Sequence, residues 1–400
     1  MRLFKLTNLN FKDKHVLVRT GFDMPIDSKG KITDDSRIKE ALPTLNYLLK
    51  KRAKLILIFH HHRPDGKIVK KYRVDAIAKR LSQILKKKVT KLDHTIGPGV
   101  KRHVDLMKPG DILVLENLRF HAEEEKGGKG FAKALASYAD YYVNEAFSNC
   151  HRDHASMTGV PTYIPSCLGF HAYDELTHLS LHNAKKPIYA IIGGVKLETR
   201  VPMLENFARF AKKILLGGAM VFTFYKALGY EVGKSLVDRD EISVAKKLMK
   251  KYSNKLILPE DILVADKIGA KAKTKNVDYS QMPKSWIGVD NGKRSLKTFA
   301  QQLKDAKTIV WNGPIGIFEE AKFANGTRTI AKILAGSRAK TIIGGGDTST
   351  AVHHFKLARK MNHVSTAGGA SLTLLEGKAL PAIVALEKNY GRFYKRFKKK

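Results

Sequence analysis

The most constraining feature of this 400-residue chain is a rhythm in which short, almost unbroken apolar runs alternate with stretches of helical periodicity. VLVRTGF (16–22) is followed by a helical pattern around 36–51 and then by KLILIFH (54–60), a β–α–β progression. Further runs are DILVLEN (111–117), DYYVNEAF (140–147), PIYAIIGG (187–194), KKILLGG (212–218), KLILPEDILVAD (255–266), AKTIVWNG (306–313), AKTIIGGG (339–346) and NHVSTAGG (362–369). Runs that lack polar alternation suit parallel strands whose two faces are both covered by helices. An α/β fold with parallel sheets is therefore expected. At this length two cores are expected rather than one. The boundaries fall at residues 1–171 for the first domain, 172–186 for a polar hinge helix ending in NAKKP, and 187–382 for the second domain. Residues 383–400 form a basic tail.

The residues just beyond each strand are more informative than the strand, because open α/β sheets bind ligands at the carboxyl ends of their strands. In the first half those ends carry Arg19 and Asp23, Arg37 in ITDDSRI, His60 and Arg63 in FHHHRP, Arg119 in ENLRFH, and His151 with Arg152 in CHRDH. Guanidinium groups hold carboxylate and phosphate oxygens in pairs, so the collection fits a small, multiply anionic ligand. Any one of these arginines could equally make a surface salt bridge; the recurrence at successive strand ends carries the argument. In the second half the ends are glycine: Gly193-Gly194, Gly217-Gly218, Gly313, Gly344 to Gly346, and Gly368-Gly369. Glycine lets backbone N–H groups approach a phosphate, and a following helix adds its positive end. Neither GxxxxGK[ST] nor GxGxxG occurs, so this is not a P-loop or a standard dinucleotide fingerprint. Asp347-Thr348 puts a carboxylate and a hydroxyl where a nucleotide-bound Mg²⁺ would need oxygen ligands, although Asp347 also suits a helix N-cap.

Composition excludes several classes. No apolar run approaches the ~18 residues needed to span a bilayer, and MRLFKLTNLNFKDK lacks the apolar block of a secretory signal. Cys150 and Cys167 are too few for a disulfide framework and are read as reduced thiols. A soluble, cytoplasmic protein is expected. The 73 Lys and Arg against 37 Asp and Glu give a net charge of +36, which implies anionic partners or simply lysine-rich solvated faces. Residues 388–400 hold seven of these cations and no acid, and are expected to be frayed or loosely docked.

The segments ITDDSRI, ENLRFHAEEE, NEAFSNCHRDHAS, GGVKLETR, GGAMVFTF, WNGPIGIFE, IIGGGDTSTAV and HVSTAGGASLTLLEGKALPAI resemble the motifs of the phosphoglycerate kinases, in that family's order and spacing, from about residue 14 to about residue 386. The resemblance implies two Rossmann-like domains joined by a hinge helix with a cleft between them, one binding 3-phosphoglycerate and the other Mg-ATP or Mg-ADP. It implies that Arg63, Arg119 and Arg152 grip the 3-phosphate, that His60 helps hold the glycerate, and that Arg37 neutralises the reacting carboxyl. Lys196 would contact the nucleotide phosphates, and Arg200 stands where many members keep a second lysine. Gly217, Gly218, Asn312, Pro314 and Glu319 fall at nucleotide-binding positions, with Glu319 on the ribose. Asp347 would ligate Mg²⁺ and Thr348 would touch the phosphates. Gly345, Gly346, Gly368 and Gly369 would offer N–H groups to the transferring phosphoryl. A monomer acting on small molecules is expected, without a membrane or a specific nucleic-acid partner.

Departures from the family pattern concentrate in the first half. TGFDMP replaces the usual VDFNVP, so Gly21 stands for an aspartate and Asp23 for an asparagine. FHHHRP replaces SHLGRP, which adds His61 and His62; they are read as pocket or surface residues and not as a metal site. Glu145, Val195, Thr199 and Ala367 also differ. Asp23 is expected to take over the missing acceptor for the glycerate hydroxyl, with Arg37 as the neighbour that neutralises it. The second reading is a catalytically weakened basic relative that binds nucleic acid or another partner. Retention of the cationic and nucleotide residues in both halves argues against it.

Overall fold

The computed structural model describes residues 2–28, 30–181 and 183–397. By their contacts the residues form two compact units, Met1–Thr177 with Ala379–Lys400, and His178–Lys378.

The first unit is built on a six-stranded parallel sheet of β1 (His15–Thr20), β2 (Lys54–Ile58), β3 (Thr90–Lys91), β4 (Ile112–Val114), β5 (Tyr141–Glu145) and β6 (Ser166–Leu168), in the order β3-β4-β2-β1-β5-β6. Successive side chains of a strand point to opposite faces, which explains the unbroken apolar runs. Val16 and Val18 enter one core with Leu55, Leu57 and Val114, while Leu17 enters the other with Ile56, Ile58 and Tyr142. The register sets Arg19 beside Ile58 on one side and Asn144 on the other, so the carboxyl ends of β1, β2 and β5 lie level.

The second unit repeats the arrangement with β7 (Ile188–Ile192), β8 (Lys213–Leu216) and β9 (Leu256–Ile257). The next strands of its chain are β10 (Asp261–Ala265), β11 (Thr274–Asp278), β12 (Ile287–Asn291), β13 (Thr308–Asn312), β14 (Lys340–Gly344) and β15 (His363–Val364). Six of them form a parallel sheet, β15-β14-β13-β7-β8-β9, and the other three an antiparallel sheet, β11-β10-β12. Asn312 at the end of β13 lies opposite Gly344 and Ile192, which levels the glycine-bearing ends.

Three expectations need correction. KLILPEDILVAD is not one strand, because Pro259 cannot donate to a ladder, and the chain passes there from β9 into β10 of the smaller sheet. The hinge helix runs over Phe170–Leu179 rather than 172–186, and Leu181 beyond it lies in the left-handed region at φ +52°. The basic terminus is not frayed: Pro381–Phe397 is a helix counted with the first unit. Its Tyr390, Phe393 and Phe397 share one face and pack on that unit's core, with Phe4 4.8 Å from Tyr390 and 5.3 Å from Phe397, centroid to centroid. Residues 398–400 lie outside the described residues. Among the described residues, no helix is long and apolar enough to cross a membrane.

Candidate active site

Arg19 is wholly buried and serves as scaffold. Its Nε donates to Ser156 Oγ (3.1 Å), and Ser156 is held by Glu124, to which its hydroxyl (2.6 Å) and its N–H (2.9 Å) both donate. Arg19 Nη2 lies 3.0 Å from His60 Nδ1. Arginine can only donate, so Nδ1 is the acceptor and neutral His60 carries its proton on Nε2. That nitrogen faces Asp23 Oδ2 at 3.5 Å. Burial, supported by the charges of Arg19 and Arg119 and opposed by Asp23, takes His60 down to about 3.

Asp23 is therefore surrounded by histidines. Oδ1 accepts the His62 N–H (2.9 Å) and lies 3.4 Å from His61 Nδ1. Burial alone would push this carboxyl up, but the facing imidazoles of His60 and His61 and the hydrogen bond from the His62 N–H outweigh it and hold the group far below the usual carboxylate range. The expected pairing with Arg37 is not what forms. Arg37, at the start of the helix Ser36–Lys50, is half-buried and donates through Nη1 to the Gly21 carbonyl (3.2 Å).

The three arginines expected to grip a phosphate take different settings. Arg63 is exposed on the loop after β2. Arg119 sits on a short turn, Leu118–Phe120, capped by Asn117; its Nη1 donates to the His62 carbonyl (2.8 Å) and its Nε lies 3.0 Å from Glu125. Arg119 Nη2, Arg152 Nε and His151 Nδ1 are buried without a hydrogen-bond partner. Buried donors are nearly always satisfied, so orphaned guanidinium N–H groups mark a place prepared for an anion. The cationic surroundings register on His154, where burial first, then Arg119, Arg19 and Arg152, lower the imidazole to about 4. Glu145 acts structurally, its carboxylate accepting the N–H groups of His171 (3.3 Å) and Ala172 (3.2 Å) at the start of the helix Phe170–Leu179.

In the second unit a cavity of ≈ 790 Å³ opens at the ends of β7, β8 and β13. One side is apolar, with Phe222, Ile262, Val289 and Ile317; the other carries Lys196, Arg200, Gly218, Pro314, Glu319 and Asp347. The glycines divide into two kinds. Some exist so that backbone can meet backbone: a Cβ on Gly313 (φ +89°) would lie 2.2 Å from the Gly193 carbonyl oxygen, and one on Gly218 (φ +72°) 2.5 Å from that of Gly194. Gly217 likewise packs against Ile315. Gly346 and Gly368 instead face open space, and Gly368 (φ +51°) precedes the helix Gly369–Leu375.

Asp347 is exposed on the first turn of the helix Gly346–His354, where backbone N–H groups lack internal partners. Thr348 beside it is buried, and its hydroxyl accepts the Gly313 N–H (2.6 Å), so this side chain shapes the loop. Asn312 is buried with both amide atoms unpartnered. Arg200 donates from Nε to the Gly193 carbonyl (3.1 Å); burial lowers its basicity, and Asp347 and Glu376 oppose that. Lys196 and Glu319 are exposed. The exposed Asp347 carboxylate, in a cavity that also carries Lys196 and Arg200 and has room for phosphate oxygens and water, fits the donor set of Mg²⁺.

Sequence reasoning missed Asp290. This carboxyl borders the cavity at the end of β12, accepts the N–H groups of Gly326 (2.5 Å) and Asn291 (2.9 Å), and is pushed up to about 8 by burial. GVDNG (288–292) would have shown it, had the segment been read as a strand.

The family model described as phosphoglycerate kinase matches residues 6–378. A phosphoglycerate kinase of Prochlorococcus marinus is 46% identical over 96% of this chain and 98% of its own length, and one of Trichodesmium erythraeum is 48% identical over the same shares. The solved structure of phosphoglycerate kinase from Coxiella burnetii superposes with a TM-score of 0.91 at 36% identity, covering 97% of this chain and 99% of that one.

Proposed function

The chain belongs to the phosphoglycerate kinase family, and from that premise we propose how its residues divide the reaction. The reaction is reversible phosphoryl transfer between ATP and the carboxylate of 3-phosphoglycerate. The first unit takes the acid: Arg63, Arg119 and Arg152 hold its phosphate, His60 and Asp23 its hydroxyl end, and Arg37 the reacting carboxyl. The second takes the nucleotide, with the phosphates beside Lys196, Arg200, Asn312 and Gly218, the ribose at Glu319, and the loop kept in shape by Pro314, Gly217 and Thr348. Gly345, Gly346, Gly368 and Gly369 present N–H groups to the transferring phosphoryl, two of them at helix starts. Asp347 would hold Mg²⁺, which when bound offsets charge on the phosphates.

A carboxylate is already a competent nucleophile, so no residue has to remove a proton from it. The protein contributes positioning and neutralisation of charge on the equatorial oxygens. Arg37, Lys196 and the helix-start N–H groups supply the neutralisation. The reading includes a monomer in the cytoplasm, which suits two buried free thiols, Cys150 and Cys167.

The observation that carries it is the pair of buried, unpartnered donors on Arg119 and Arg152 in the unit that also holds the Asp23 carboxylate. A coupled assay of the purified protein with 3-phosphoglycerate and Mg-ATP tests the whole. Turnover should need Mg²⁺ and disappear in Asp347→Ala while circular dichroism stays unchanged. Undiminished turnover in that variant refutes the nucleotide assignment.

A further inference from the structure

His61 has no role in the phosphoryl transfer, yet its placement is costly. The side chain is completely buried, and neither ring nitrogen has a hydrogen-bond partner of good geometry. Leaving a buried polar group unsatisfied costs about 1–3 kcal/mol, whereas an apolar side chain of similar size would cost nothing there. The ring is also held deliberately. Asn117 grips the His61 backbone from both sides, accepting its N–H (3.0 Å) and donating to its carbonyl (2.7 Å). The ring packs on His62 at 4.3 Å between centroids and meets Tyr72 edge-on at 6.3 Å. So fixed, it aims Nδ1 at Asp23 Oδ1, 3.4 Å away, while the His62 N–H binds the same oxygen and His60 Nε2 faces the other.

We propose that His61 is a positioning residue that orients the Asp23 carboxylate for the hydroxyl of the acceptor, making the pocket selective for a 2-hydroxy acid. This rests on the reading that Asp23 receives that hydroxyl. With its N–H on Nδ1, His61 points that group at the Asp23 carboxylate, 3.4 Å away. Asp23 is then held at both oxygens, by His61 and His60, with lone pairs left for the substrate. Gly21, which brings no side chain, leaves Asp23 as the carboxylate at this end of β1.

The test measures KM and kcat of the full-length enzyme with 3-phosphoglycerate and with 3-phosphooxypropanoate, the same acid without its 2-hydroxyl. In His61→Leu the KM for 3-phosphoglycerate should rise ~tenfold, the value expected for one weakened hydrogen bond to a charge. The KM for the deoxy acid and both kcat values should stay the same, and circular dichroism should show the fold intact. His61→Gln, which keeps an N–H able to reach the carboxylate, should restore most of the selectivity. An equal rise for both acids, or a Gln variant no better than Leu, overturns the proposal. Asp23→Asn separates the two levels. If it erases the preference for the hydroxy acid while His61→Leu does not, the role of His61 fails alone. If neither changes the preference, the assignment of Asp23 falls as well.

Discussion

Asn389, deep in the terminal helix Pro381–Phe397, should be one of the most sensitive positions of the first unit. Its side chain is 2% exposed and sews the terminal helix to the segment before β6. Oδ1 accepts the Ser166 N–H (2.9 Å), and Nδ2 donates to the carbonyls of Ile164 (2.7 Å) and Pro161 (2.5 Å). Ile164 keeps a second donor in Ser166 Oγ (2.7 Å), so Asn389→Ala strands two backbone groups, the Ser166 N–H and the Pro161 carbonyl. At about 1–3 kcal/mol for each of the two buried groups left unmade, the loss is about 2–6 kcal/mol. For a unit of this size each kcal/mol moves the midpoint by ~2–4 °C, so the first unit should melt about 4–24 °C lower. Scanning calorimetry measures the shift. Both tryptophans, Trp286 and Trp311, lie in the second unit, and their fluorescence should report its melting separately. A calorimetric shift below ~2 °C would mean that water replaces the lost amide and that the reasoning from burial is wrong.

Arg37→Ala should chiefly lower kcat, because the charge it meets changes during transfer, whereas Arg152→Ala should chiefly raise KM for 3-phosphoglycerate; equal signatures in steady-state kinetics would contradict the division. Acid should weaken the first unit early. His60 is held at about 3 against 6.5 for a free imidazole, so the unfolded chain takes up its proton first, and the stability due to neutral His60 is complete above ~pH 6.5 and lost as pH falls toward ~3. Urea midpoints at pH 7 and pH 4.5 should differ less in His60→Asn than in the parent.

Much of this architecture is legible in the sequence because parallel strands covered on both faces leave an unmistakable apolar signature, and because each run ends where chemistry is exposed. The cationic ends of β1, β2 and β5 and the glycine ends of β7, β13 and β14 can be read for that reason. The illegible part depends on partners distant in sequence. Arg19 reads as one more strand-end cation, but Glu124 and Ser156 turn it into a buried support for His60. Asp23 sits fourteen residues before Arg37 in the sequence, yet its partners are on the loop after β2. Glycine doublets read alike, and only three dimensions separate Gly313 and Gly218, which let backbones touch, from Gly346 and Gly368, which face open space. The terminal helix is hidden for a different reason: its aromatic spacing is in plain view, but the cations from Lys388 onward, with no acid among them, read as a solvated tail.

That helix also has a bearing on how the protein is made. Strands β1 to β6 leave the ribosome early, but the residues that finish their unit come only after the whole of His178–Lys378 has been synthesised. About 200 residues at ~5–20 residues per second is a wait of about 10–40 s. During it the Ser166 N–H, the Pro161 carbonyl and the face awaiting Tyr390 and Phe397 stay uncovered, and at its end the second unit has all of its own residues. The second unit is therefore complete before the first can be, and a ribosome stalled shortly before residue 389 should display a first half that is open to protease and chaperone although every one of its strands has been made.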